Sequence, residues 1–248
     1  DDLLPTSQKA HITRSLQSYY QALKQEISPD SVYHRFVEHE RALRDFGEPI
    51  ENRLSSMPQP DPINALMEGD LSNPVLGAQV RNLYDSFACS DIVSLRVASL
   101  ETEGWDTHRT QREVIEPKLE DLFGDGKALE VLYQELPADV LEDTVFVIGG
   151  EFGRQLRANG DNGTDHGRGT SILIIGNGVR GGVYGDMFPE EELARLDEDS
   201  PDIARLTTID TVYAKVCDWV QPGAGDFVFP NNSLSLIEDG VDLDSLFV

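Results

Sequence analysis

The chain has 248 residues, 39% of them hydrophobic, and its 45 acidic and 20 basic side chains give a formal net charge of −25. A chain of this size can bury one large core, so a single domain is expected. The acidity excludes nucleic acid as a partner, because its phosphates require a basic face. The acidic residues are spread along the chain, which is typical of a strongly solvated surface or, alternatively, of a face for a cationic partner.

The cysteines and the chain start say little about compartment. Cys89 and Cys217 lie far apart in apolar, helix-like segments, which favours buried thiols over a disulfide or a metal site. No segment is long and apolar enough to span a bilayer. The first residues, DDLLPTSQKAH, do not include a methionine and lack the basic and apolar regions of a signal peptide. We therefore expect a processed or truncated chain whose amino-terminal segment is missing.

Residues 1–73 are predicted to form a helical lobe. One helix covers residues 6–28, and a second begins at Ser28-Pro29-Asp30 and ends at Gly47. The proline-rich residues 55–64 indicate a loop, either at a lobe boundary or as a simple excursion. The histidines of these helices have no second ligand at i+4, so we interpret them as surface or packing residues: His11, His34 and His39.

Residues 74–220 have the pattern of an α/β core, and residues 221–248 are left as a tail. IVSLRVASL (92–100) and TVFVIGG (144–150) read as buried parallel strands, joined by a crossover helix at KALEVLYQEL (127–136). SILIIG (171–176) reads as a third strand. The intervening residues 151–170 are too rich in glycine, asparagine and aspartate for a crossover helix, so this strand is predicted to run antiparallel to its predecessor.

Carboxylates and imidazoles are predicted to meet at one edge of that sheet. Asp106 and His108 follow the first strand, Glu151 follows the second, and Asp165 and His166 precede the third. Such a mixture suits a divalent metal, with zinc favoured by the nitrogens and magnesium, manganese or calcium by the oxygens. Taken singly, DTH also fits a capping aspartate with a surface histidine, and TDHG a tight turn. Their joint placement favours the metal site.

Two arginines follow the second strand. Arg154 and Arg157 could each form a bidentate pair with an anionic ester, and salt bridges with the abundant acidic residues are the alternative.

Three motifs carry a resemblance to a known family. GWDTHRTQ, TVFVIGGEFGRQ and GTDHGRGTSILIIGNGVRGGVYGD, in this order, resemble the domain of unknown function numbered 1501, of the alkaline phosphatase and sulfatase-like superfamily. The resemblance covers roughly residues 74–220. It implies an alkaline-phosphatase-like, three-layer α/β/α sandwich around a mixed, mostly parallel sheet. It also implies a periplasmic or secreted location.

The resemblance assigns one metal to Asp106, His108 and His166. A second metal of that pattern falls on Glu151 and Phe152, so the histidine expected there is replaced by a phenylalanine that offers no lone pair. The pattern also needs a nucleophilic Ser or Thr, for which residues 1–90 offer no candidate.

Two functions follow as expectations. The first is a metal-dependent hydrolase of phosphate or sulfate esters, acting on a small anionic ester or a polysaccharide. The second is a non-catalytic metal-binding relative that acts as a structural or assembly module. A missing amino-terminal segment or a partner chain is expected to cover the exposed sheet edge.

Overall fold

The protein is described by a computed structural model that covers residues 6–28, 31–186, 188, 190–198, 202, 207–230 and 241–248. Two compact units are distinguished, one formed by residues 1–58 with 88–94 and the other by residues 59–87 with 95–248. No helix of the described ranges is both long enough and apolar enough to cross a membrane.

The described elements are mostly helical. In chain order they are α1 (Thr6–Glu26), α2 (Val32–Ser56), α3 (Asp61–Ala65), a π-helical turn (Leu66–Asp70), α4 (Pro74–Ala88), α5 (Ser90–Val93), α6 (Gln111–Phe123), α7 (Ala128–Glu135), α8 (Ala138–Glu142), β1 (Phe146–Ile148), β2 (Gly153–Ala158), β3 (Thr164–Gly167), β4 (Leu173–Ile175), α9 (Glu190–Leu193), α10 (Ile209–Val220) and α11 (Ala224–Val228).

The first unit contains α1, α2 and α5. Ser31 caps α2 by accepting a hydrogen bond from the backbone amide of His34 at 3.0 Å, while Pro29 and Asp30 lie outside the described residues. The prediction that Gly47 ends this helix is wrong, because α2 continues to Ser56. A helical glycine costs only about 1 kcal/mol relative to alanine, which is too little to end a helix by itself.

A core of aliphatic side chains holds the second unit together. It is contributed by α3, the π-helical turn, α4 and α7, and Phe146 of β1 packs against it. Asp121 of α6 is buried beside the start of α4, where its carboxylate accepts hydrogen bonds from the backbone amides of Ser72 and Asn73, both at 2.9 Å. The buried hydrophobic members are Ile63, Leu66, Leu71, Leu76, Val80, Leu83, Ala128, Val131, Leu132 and Leu136.

The predicted three-layer α/β/α sandwich around a mixed, mostly parallel sheet is wrong. The described residues form two small antiparallel sheets, one of β1 with β4 and one of β2 with β3. Residues 92–100, predicted as the first parallel strand, form the end of α5 and then an irregular segment in which Val97 is 76% exposed. Apolar, β-branched composition fits a strand only where a neighbouring strand is present to pair with it. The described residues therefore contain no βαβ unit, although the predicted crossover helix exists as α7.

The third predicted strand does run antiparallel to its predecessor. Phe146 pairs with Ile175 and Ile148 with Leu173, so β1 and β4 are antiparallel. The chain between them was predicted to be a loop, but it contains the hairpin formed by β2, the turn 159–163 and β3.

Candidate metal centre

The β2–β3 hairpin and the irregular segment before α6 lie side by side. Backbone amides of Thr110 and Gln111 donate to the carbonyl oxygens of Asp161 and Asn162 at 3.1 and 3.0 Å. A β-bridge between Arg109 and Asn162 adds to this contact. These backbone contacts hold residues 109–111 against the turn of the hairpin.

Gly163 allows the two backbones to approach closely. It is buried, and a Cβ atom at this position would lie 2.2 Å from the carbonyl carbon of His108. No side chain fits there, so a glycine is required for His108 to lie next to the hairpin.

Arg154 connects the same two segments. Its guanidinium donates to the carbonyl oxygens of Thr164 and Trp105 at 2.6 and 2.9 Å, and to Asp106 Oδ1 at 3.0 Å. Its side chain is only 18% exposed. Arg154 therefore positions Asp106 beside β3, and most of its donors are already engaged.

Three possible metal ligands meet at this junction. Asp106 Oδ1 lies 2.7 Å from His166 Nε2 and 3.1 Å from His108 Nε2. Within the described chain, the ligand atoms of these residues all fall within 4.8 Å of one another. Their side chains are about half exposed, at 54% for Asp106, 44% for His108 and 47% for His166.

The donor set fits a metal ion. Tetrahedral coordination at the usual zinc distances places donor atoms roughly 3.3–3.5 Å apart. The separation of 3.1 Å is a few tenths of an ångström shorter and that of 2.7 Å is roughly 0.6–0.8 Å shorter, so side-chain rotations would have to open the site to that geometry. Two imidazoles with one carboxylate are a donor set that catalytic zinc sites use, and nitrogen donors disfavour magnesium and calcium.

Asp165 lies on the other side of the His108 ring. Its Oδ1 is 3.0 Å from His108 Nδ1, and it also accepts a hydrogen bond from Asn159 Nδ2 at 3.2 Å. Asn159 Nδ2 donates to the carbonyl oxygen of His108 as well, at 2.9 Å. Asp165 was predicted to be a metal ligand, and the structure places it against the nitrogen that points away from the three-donor group.

Phe152 covers one face of His166. The two rings are stacked, with centroids 4.0 Å apart and planes 15° from parallel, and the Arg154 guanidinium lies 4.8 Å from the centroid of the phenyl ring. The phenyl ring restricts the imidazole without offering a ligand atom.

Both carboxylates of the site are held in the ionised form. The hydrogen bond with His166 is the largest effect on the pKa of Asp106 and lowers it below its ordinary value. Burial, the next largest effect, opposes this shift, while the charge of His108 and the hydrogen bond from Arg154 add to it. The pKa of Asp165 is lowered chiefly by the hydrogen bond with His108 and then by that from Asn159. Negative charge is therefore retained for a cation in weakly acidic solution.

The other predicted site residues are not members of this group. Glu151 is exposed in the turn between β1 and β2, and it is not among the described side chains that gather around Asp106. Arg157 is exposed and donates to the carbonyl oxygen of Glu198 at 3.3 Å. Sequence reasoning missed Asn159, whose signal is its place in the NGDNG turn, where an asparagine side chain commonly binds nearby backbone amides.

Residues 93–198 match the model of a family described as "Protein of unknown function (DUF1501)". This segment contains every predicted site residue and supports an uncharacterised family for this part of the chain. No curated protein and no solved structure matches the chain.

Proposed function

We propose that Asp106, His108 and His166 bind one divalent transition metal ion, with zinc preferred, and that the resulting site hydrolyses phosphate or sulfate esters. The observation that carries the proposal is the convergence of one carboxylate oxygen and two imidazole nitrogens within 4.8 Å. They come from two segments that backbone hydrogen bonds hold together, so the donors are positioned before a metal binds.

The chemistry follows from the number of ligands. With Asp106, His108 and His166 as its only protein ligands, a bound divalent ion would keep one position open, where it would supply Lewis-acid chemistry and activate water near neutral pH. The half-exposed side chains leave this position open to solvent and substrate. The protein supplies orientation, since Arg154 fixes Asp106 and Phe152 restricts His166.

Local charge favours an anionic substrate only when the metal is bound. Asp106, Asp165 and Arg154 together carry one negative charge when the two histidines are neutral. A divalent ion reverses the sign of this region, in a chain whose formal net charge is −25. An anionic ester is therefore attracted to the metal-bound site and repelled elsewhere on the surface.

The resemblance of the three motifs to the alkaline phosphatase and sulfatase-like superfamily supports esters of phosphate or sulfate as the substrate class. A periplasmic or secreted location is part of the same proposal, because it rests on the same resemblance. The described fold gives this assignment no support, so the ligand geometry and the motifs carry it.

A non-catalytic metal-binding module is the second candidate. The observation that favours it is Phe152, which stacks on His166 at the position where the resembled pattern has a histidine ligand of a second metal. A single ion would then hold residues 105–111 to the hairpin and serve assembly rather than turnover.

Metal analysis of the full chain tests the proposal. We expect elemental analysis and calorimetry to give one Zn²⁺ per chain. His166→Ala should bind Zn²⁺ about 100-fold more weakly or worse. The matched control His39→Ala, which removes an exposed histidine of α2, should bind Zn²⁺ as the wild type does. Aryl phosphate and aryl sulfate assays then separate the candidates. Turnover that disappears in His166→Ala supports the hydrolase, stoichiometric metal without turnover supports the module, and failure to bind Zn²⁺ overturns both.

A further inference from the structure

We propose that Asp165 is an outer-sphere positioning residue, which fixes the tautomer of His108 so that Nε2 is free to bind the metal, and that Asn159 holds Asp165 in place. This inference rests on the proposed metal site, and it gives separate roles to the neighbouring residues Asp165 and His166.

His108 lies between two carboxylates. Its Nε2 is 3.1 Å from Asp106 Oδ1, and its Nδ1 is 3.0 Å from Asp165 Oδ1. A neutral imidazole carries one N–H, and the nitrogen without it is the one that can bind a metal. The two carboxylates therefore compete for the proton of one ring, and the outcome decides whether His108 can be a ligand at the three-donor group.

The surroundings favour a proton on Nδ1. Asp106 Oδ1 already accepts from Arg154 at 3.0 Å and faces His166 Nε2 at 2.7 Å, so its capacity for a further donor is largely used. Asp165 Oδ1 has His108 Nδ1 and the amide of Asn159 as its neighbours. A proton shared with Asp165 leaves the Nε2 lone pair directed at Asp106 and His166.

The same geometry argues against Asp165 as a ligand. It contacts the ring nitrogen opposite to Nε2, so the imidazole itself separates its carboxylate from an ion bound at Nε2. A carboxylate that accepts from the second nitrogen of a metal-bound histidine is a frequent outer-sphere arrangement, and losing such a partner commonly weakens metal affinity about 10–100-fold.

Asn159 is oriented by the backbone of its own turn. Its Oδ1 accepts from the amides of Asp161 and Gly163 at 3.0 and 3.1 Å. Nδ2 is thereby directed at Asp165 Oδ1 and at the carbonyl oxygen of His108. One amide group thus aligns the carboxylate with the ring that it contacts.

The test combines Zn²⁺ titration against a chromophoric chelator with histidine ¹H–¹⁵N correlation spectra of the metal-free full chain. Asp165→Ala should bind one Zn²⁺ about 10–100-fold more weakly than the wild type. Asp165→Asn should recover most of the affinity, because its amide oxygen still accepts from Nδ1. The control Asp139→Ala, which removes an exposed carboxylate of α8, should change affinity by less than about threefold.

The spectra report the tautomer directly. We expect the proton of His108 on Nδ1 in the wild type and in Asp165→Asn, and a shift toward the Nε2–H form in Asp165→Ala. A wild-type proton on Nε2, or wild-type affinity in Asp165→Ala, overturns the inference. A changed coordination number in the Co²⁺ absorption spectrum of Asp165→Ala also overturns it, because Asp165 would then be a ligand.

The outcomes distinguish this inference from the proposed function. A wild-type chain that binds no Zn²⁺ removes the proposed function, while the metal-free spectra still decide whether Asp165 sets the tautomer. Circular dichroism of each variant separates local effects from unfolding.

Discussion

The second unit contains two regions that are held together by different interactions. In the helical core, aliphatic side chains such as Ile63 and Leu66 are almost fully buried. Around the candidate metal centre, the ligand side chains are half exposed, and backbone contact at Gly163 with side-chain hydrogen bonds sets their positions. Burial is non-directional and determines mainly stability, whereas hydrogen bonds fix the directions of atoms. Stability and metal affinity should therefore respond to different substitutions.

Leu66→Ala should give the largest effect and act on stability alone. Leu66 is 1% exposed in the core, and truncating such a side chain costs about 2–5 kcal/mol of unfolding free energy. Urea denaturation measures this loss. Zn²⁺ affinity of the folded variant, measured well below the denaturation midpoint, should remain that of the wild type; a parallel loss would mean that the two regions are coupled.

Gly163→Ala should act mainly on Zn²⁺ affinity rather than on stability. The added Cβ would meet the carbonyl carbon of His108 at 2.2 Å, so the segment that carries Asp106 and His108 must move away from the hairpin. Displacing these ligands should weaken Zn²⁺ binding about 100-fold, equivalent to about 2.7 kcal/mol. Calorimetry checks this, with Gly160→Ala as the control, because a Cβ at Gly160 meets no atom within 4 Å. Equal affinity in both variants would contradict the proposed role of Gly163.

Asp121→Asn should lower the stability of the helical core by an amount that depends on pH. Burial raises the pKa of Asp121, but hydrogen bonds from Ser72 and Asn73 outweigh this effect, so the pKa lies below its ordinary value. A lowered folded-state pKa stabilises the protein above the ordinary value of about 3.9, and the contribution is lost as pH falls through the folded-state pKa.

The variant should therefore lose about 1–3 kcal/mol at neutral pH and differ less from the wild type in acid. Thermal unfolding between pH 7 and pH 3 measures the difference, and Asp125→Asn, at an exposed position of the same region, serves as its control. A stability difference that is constant with pH would exclude the carboxylate as its source.

The sequence predicts an element correctly where nearby residues determine its conformation. The prediction fails where the element needs a strand from a distant part of the chain to pair with. The antiparallel relation of β1 and β4 could be predicted because residues 151–170 contain too many turn-forming residues for a crossover helix. Residues 92–100 have a strand-like composition, but the described structure gives them no strand to pair with. The β2–β3 hairpin was missed because GRQLRA and TDHG are polar and show no alternating apolar face.

The residues of the candidate site could be named from the sequence, but not their arrangement. Asp106, His108 and His166 were expected to meet at the edge of a mixed, mostly parallel sheet, whereas they meet where a hairpin contacts an irregular segment. The neighbours Asp165 and His166 look equivalent in the sequence. Which of them points at Asp106 and which at the far nitrogen of His108 depends on contacts made 57 and 60 residues away along the chain.

Phe152→Leu should give the smallest effect. It tests whether apolar packing, which stabilises the helical core, also helps to position a ligand of the metal centre. Phe152 contacts His166 through stacked rings rather than through a hydrogen bond, so burial and direction act together here. Loss of the stacking, worth about 0.5–1.5 kcal/mol, should weaken Zn²⁺ binding about threefold to tenfold by freeing the imidazole to rotate. Phe152→Tyr keeps the ring and should retain the affinity, and Phe123→Leu, at a half-exposed position of α6, should leave it unchanged. If Phe152→Leu binds Zn²⁺ as the wild type does, hydrogen bonds alone position His166. In that case apolar packing contributes to the helical core and not to the metal ligands.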